Sequence, residues 1–286
     1  MELLAAMGLK FIFDFMKNHI NAEEIASNLD GTFNNINNII QGAIDLVTNP
    51  LDSMHGIWNV ISSIHASILP MGYSLLTLFF LLGLINRSMS FRIIRIEDII
   101  RLLIRLIIAK VVMENCFELL SMVYSMVTDL ILNINVSIGP IKIVDTSALA
   151  EQIKEMNWIQ RIIFQTQFTP ISIVSFFLNL MTFIICYGRI LELCVFTALS
   201  PLPIATLSSE EYASTSKRFF QHYIAICLQG LIIIIDLMIF AGLSKTLVGT
   251  ATTGDFGVGM SISLSVMLIM VLSKSESWAR QITGVN

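Results

Sequence analysis

Three polar side chains recur seven residues apart inside one of the most apolar stretches of the chain: His222, Gln229 and Asp236. Seven residues are about two turns of α-helix, so the three fall along one side. Asp236 is flanked by isoleucine, leucine and methionine at 232–235 and 237–239. An ionised carboxylate facing hydrocarbon is costly, so its place is against other helices, a partner subunit or water. An interhelical hydrogen bond, to Ser263 or Lys110, meets that demand; so does a position lining a conduit. A second set, Lys110, Glu114 and Glu118, follows at i, i+4 and i+8 and shares one helical face. Lys110 and Glu114 either neutralise each other or border a water-lined path. These six are the expected interior polar residues.

No motif for bond-making chemistry accompanies them. GxxxxGK[ST], HExxH and GxSxG are all absent from the sequence, which argues against a transport ATPase and leaves any energy to a partner. A membrane-bound enzyme would need a catalytic group of His, Asp and Ser that the sequence does not offer. Cys116, Cys186, Cys194 and Cys227 lie in apolar stretches without CxxC spacing and read as small buried hydrophobes. His55 and His65 read as surface or packing residues. No catalytic residue, metal site or cofactor is expected.

The elements that carry these residues are set by composition. Of 286 residues, 55% are hydrophobic and only 13% charged, with a mean hydropathy of +0.77. Soluble domains carry roughly 25% charged residues, so the chain lacks the polar surface water demands. A net charge of −4 gives no basic face for nucleic acid. The expected fold is all-α: a polytopic transmembrane helical bundle of five to six spans, with N-terminal amphipathic extracytoplasmic helices.

Residues 1–65 read as amphipathic helices. Lys10, Asp14 and Lys17 share a face near the N-terminus, as on a helix lying in the membrane interface. Two more amphipathic helices follow within 32–68, separated at Asn49-Pro50. Residues 66–128 hold two spans, about 66–85 and 106–127, around a loop carrying Arg87, Arg92, Arg95, Arg101 and Arg105. That cluster marks a cytoplasmic side and leaves the N-terminus extracytoplasmic. A lipid- or nucleic-acid-binding patch is the weaker reading of it, because Glu97 and Asp98 dilute the charge. Residues 129–169 form an extracytoplasmic loop with an amphipathic helix around 148–164.

The C-terminal bundle, 170–286, contains an apolar run to Leu207 that is too long for one span of about 20 residues. A hairpin at Gly188-Arg189, one long bent helix, or a span followed by a re-entrant half-helix broken at Pro201 and Pro203 would each accommodate it. Five spans with the proline break returning the chain to the cytoplasm fit the Lys/Arg distribution best. Lys217 and Arg218 complete this hinge, and spans at about 219–243 and 256–273 follow. Gly257, Ser261 and Ser265, four apart, form a small-residue stripe for close helix packing.

The apolar lead-in to Arg189, then ALSPLPIA at 198–205, a polar hinge, and KRFFQHY at 217–223 before an isoleucine-rich span resemble the TrbL-like inner-membrane subunits of conjugative type IV secretion systems. Relatives often carry Trp after the hinge, where Phe219 and Phe220 stand here. The resemblance implies a non-enzymatic, multi-pass protein of the plasma (inner) membrane that forms homo-oligomers in contact with lipid. It implies other secretion-system subunits as partners, ATPases and a bitopic scaffold protein among them, and a DNA–protein substrate. The expected function is a structural, channel-forming subunit for conjugation. The rival is a secondary transporter or channel for a small solute, against which the absence of an internal repeat counts.

Overall fold

A chain in hydrocarbon must satisfy its own backbone hydrogen bonds, and every long apolar run among the described residues is helical. The computed structural model describes residues 22–48, 55–89, 96–138, 157–250 and 256–285, and no strand occurs among them. The described helices, in order, are α1 (Ala22–Thr48), α2 (His55–Met89), α3 (Ile96–Glu114), α4 (Cys116–Ile138), α5 (Trp158–Leu199), the short α6 (Pro201–Ala205), α7 (Ala213–Thr250) and α8 (Phe256–Thr283). A 3-10 turn, Thr206–Ser208, follows α6. The protein is an all-α helical bundle.

Four of the described helices contain segments long and apolar enough to cross a membrane: Gly56–Ser88, Cys116–Ile134, Ile173–Leu199 and Ala213–Leu243. The distribution of side chains suits that solvent. Large apolar residues face outward, among them Leu78, Leu81, Ile107, Phe176, Leu191 and Ile239, while Arg189, Thr197, Ser200, Gln229 and Asp236 are buried. Outward apolar surface of this extent is unfavourable in water and favourable in hydrocarbon.

The helix boundaries depart from the sequence expectation at three places. The amphipathic stretch before residue 66 and the first span form one 35-residue helix, α2, with Pro70 inside it. Proline removes one hydrogen bond there, a loss that long membrane helices tolerate. The second expected span divides at Asn115, where the backbone N–H and the side-chain amide both donate to the Val111 carbonyl, at 3.2 and 2.8 Å. This local competition interrupts the ladder, although Leu119 N–H still reaches the Asn115 carbonyl at 2.9 Å. Finally, α5 runs unbroken through Gly188-Arg189, which overturns the hairpin. Arg189 is buried at 3% exposure and so provides no polar turn; the break falls at Ser200 instead. The expected N-terminal helix with Lys10, Asp14 and Lys17, and the expected helix start around residue 148, lie outside the described residues.

The chain packs as two compact units. One comprises residues 45–137, 185–234 and 273–286, the other residues 1–44, 138–184 and 235–272. The first has two apolar clusters. Ile61, Leu120, Tyr124, Leu193, Phe219 and Tyr223 belong to one, and Leu76, Ala109, Met113, Cys116, Ile204 and Ala205 to the other. In the second unit, Leu178, Leu237, Phe240, Leu264, Leu268 and Leu272 are buried.

Candidate functional site

The proline break is the most densely bonded place in the first unit. Pro201 lacks a backbone N–H and suits the first position of a helix, so α5 stops at Leu199 and α6 starts immediately after Ser200. α2 packs against α6, and Gly72 permits the approach. A β-carbon at Gly72 would stand 2.8 Å from Pro201 Cβ and 3.3 Å from the Pro201 carbonyl oxygen. Only a residue without a side chain fits.

Hydroxyl groups tie the break to its surroundings. Ser200 Oγ donates to the Thr197 carbonyl at 2.8 Å. Thr206 Oγ1 and Ser216 Oγ both lie within hydrogen-bond reach of the Pro203 carbonyl and are 2.7 Å from each other. Ser208 Oγ donates to the Leu76 carbonyl of α2 at 3.1 Å. His65, on α2, is buried beside them. Its Nδ1 is 3.3 Å from the Thr197 carbonyl, and its Nε2 is 3.6 Å from Cys116 Sγ. A carbonyl can only accept, so Nδ1 carries the proton and the Cys116 thiol donates to Nε2. Cys116 Sγ is also 3.4 Å from Ser200 Oγ. His65 and Cys116 therefore serve a buried hydrogen-bond chain, more than apolar filling.

Further along α5 and α7 lie charged groups. Arg189 Nε donates to the Ile226 carbonyl at 3.0 Å and one terminal nitrogen to the Cys227 carbonyl at 3.4 Å. The guanidinium rests on Gly230, where any β-carbon would collide with it. Glu192 accepts from His222 Nε2 at 3.1 Å, and Arg280 stands 3.9 Å from the same carboxylate and 2.6 Å from Glu276. A helical carboxylate, imidazole and guanidinium thus join α5, α7 and α8 within this unit.

The six expected interior residues divide by position. His222 is half-buried against Glu192. Gln229 is buried; its Nε2 is 3.5 Å from Ser275 Oγ, and its Oε1 has no partner among the described residues. Asp236, in the second unit, is 8% exposed, and its Oδ2 is enclosed with no hydrogen-bond partner among the described residues. Lys110 pairs with Glu114 at 3.7 Å, with 60% and 45% of the two side chains exposed, and Glu118 is exposed as well. Of the hinge residues, Pro201 is buried, Pro203 half-buried, and Lys217 and Arg218 exposed. Ser265 is buried, while the surroundings of Gly257 and Ser261 lie outside what the structure describes. No group of three or more metal-ligating side chains occurs among the described residues.

Sequence reasoning used Arg189 only as a marker of topology, and it assigned no partner to Arg189 or Glu192. Their charge inside a 42-residue apolar helix was the available signal, since such residues turn toward a bundle's interior.

A family model described as TrbL/VirB6 plasmid conjugal transfer like protein matches residues 36–201, more than half of the 286-residue chain. The match ends at the first proline of SPLP, so the KRFFQHY segment lies beyond it. Comparison with curated proteins and with solved structures finds no match.

Proposed function

This chain belongs to the TrbL/VirB6 plasmid conjugal transfer-like family, and from that premise we propose that it is a structural, channel-forming subunit in the membrane part of a conjugative type IV secretion system. The membrane and conjugation assignments follow from the family and the four apolar helices. The channel role is our reading. Copies of the chain assemble in the inner membrane with the N-terminus outside, together with the machine's other subunits, including ATPases and a bitopic scaffold protein. The translocated DNA–protein substrate passes along helices whose polar groups face the path.

The observation that carries the reading is Asp236. A carboxylate buried in a membrane helix without a partner destabilises the fold by several kcal/mol, and Asp236 Oδ2 finds no hydrogen-bond partner among the described residues. Such residues mark substrate pathways or contacts completed by another subunit. The bonded hinge at 200–216 and the Arg189 contact would hold α5 and the first part of α7 in register. The role is structural rather than catalytic.

Deleting the chain from a conjugative donor should abolish DNA transfer, and supplying it in trans should restore it. DNA crosslinked during mating should coprecipitate with the chain. Undiminished transfer without it would reject the proposal.

A further inference from the structure

A cavity of about 330 Å³ opens at the end of α2, lined by Gly83, Arg87, Arg101, Leu102, Arg105 and the hinge residues 208–211. Pockets for small ligands begin at about 300 Å³. Three guanidinium groups line this one against two carboxylates. Glu211 accepts from Asn86 Nδ2 at 2.6 Å. Glu210 is bonded to Arg87 at 2.5 Å and is 3.6 Å from Arg105, too far for a good hydrogen bond. Arg101 is exposed and has no ion pair among the described residues. Ser209 is 1% exposed, and its Oγ has no hydrogen-bond partner among the described residues.

A buried hydroxyl without a partner is costly, and here it lines a cavity in which Arg101, Arg105 and the hydroxyl itself can all donate. Arginine can only donate, and its planar fork suits phosphate. A ligand that accepts hydrogen bonds and carries negative charge would satisfy these groups. We propose that this cavity binds a phosphate group, held by Arg101, Arg105 and Ser209, while Arg87 stays bonded to Glu210.

The setting favours a phospholipid head group as its source. The cavity lies at the end of the apolar segment Gly56–Ser88, where head groups begin. Arg101 and Arg105 share α3 with an outward stripe of Ile96, Ile100, Leu103, Ile104, Ile107 and Val111, against which acyl chains can lie. Basic pockets between membrane helices bind anionic lipids in this way. Because Ser209 belongs to the hinge segment, the lipid would brace the proline break. Glu210 is also the nearest competing anion for Arg105.

The test uses the full chain purified in mild detergent, with phosphatidylglycerol, phosphatidylcholine, inorganic phosphate and a single-stranded oligonucleotide as probes, and native mass spectrometry as readout. Phosphatidylglycerol should bind at least tenfold more tightly than phosphatidylcholine. R101Q/R105Q should abolish that preference, and the charge-matched K217Q/R218Q should keep it. E210Q should tighten binding severalfold. If the double variant does not fold, R101Q alone, which removes an exposed cation without an ion-pair partner among the described residues, should still weaken binding severalfold. Saturable binding of inorganic phosphate, lost in R101Q/R105Q, would support the phosphate site and assign it to a soluble source. Equal binding of the two lipids without phosphate binding, or binding of the oligonucleotide alone, would overturn the proposal.

Discussion

The hinge at 200–216, Ser209 apart, and the membrane stretch of α7 that follows it treat buried polar groups in opposite ways. At the hinge, Ser200, Thr206, Ser208 and Ser216 are buried and each bonds a backbone carbonyl. Along α7, Gln229 Oε1 and Asp236 Oδ2 are buried and bond nothing among the described residues. Saturated polar groups specify one geometry, whereas unsatisfied ones cost stability and are retained for another reason. The hinge therefore reads as architecture, and the polar side of α7 as the part that meets substrate or a neighbouring subunit.

This contrast can be broken or sharpened by substitution. The largest effect on stability should come from Gly72→Val, because the new side chain would meet the proline ring and its carbonyl rather than a flexible side chain. Overpacking typically costs about 1–3 kcal/mol and at times more, so the variant should lose the monodisperse peak on size exclusion in detergent at far lower temperature than wild type. A smaller loss should follow Ser216→Ala, which removes one hydroxyl from the pair on the Pro203 carbonyl. About 1 kcal/mol is expected from such a hydrogen bond, visible as a modest fall in thermal midpoint. Lys110→Gln should have the least effect. It breaks an exposed i, i+4 pair worth about 0.3–0.5 kcal/mol, and the midpoint should stay within error. A large fall for Lys110→Gln with none for Gly72→Val would invert the account.

Much of the architecture was legible in the sequence because hydrocarbon imposes simple rules. Long uncharged runs must be helical, and the helix content follows from them directly. Helix ends were harder. Pro70 stands inside α2 and Pro201 begins α6, and the chemical difference lies outside the residue itself. At 201 the neighbouring Gly72 and the buried hydroxyls stabilise a new start, and no local pattern announces Gly72 as their contact. The site was legible in part. The seven-residue spacing located Gln229 and Asp236 on one side of a helix, but whether Asp236 finds a partner depends on tertiary packing. His65 and Cys116 were read as packing residues because they are 51 positions apart, and only the fold brings thiol and imidazole together. Ser209 gave no signal, since an unpaired hydroxyl is visible only once its surroundings are fixed.

The central claim is that the polar side of α7 serves transfer and costs the fold stability. Asp236→Leu tests it most directly, with conjugation frequency and thermal midpoint measured on the same variant. Leucine removes an unpaired buried carboxylate and fills the space with apolar volume, an exchange that is neutral or stabilising. The account predicts an equal or higher midpoint with DNA transfer reduced at least a hundredfold. Transfer at the wild-type level, or a midpoint that falls together with transfer, would contradict it.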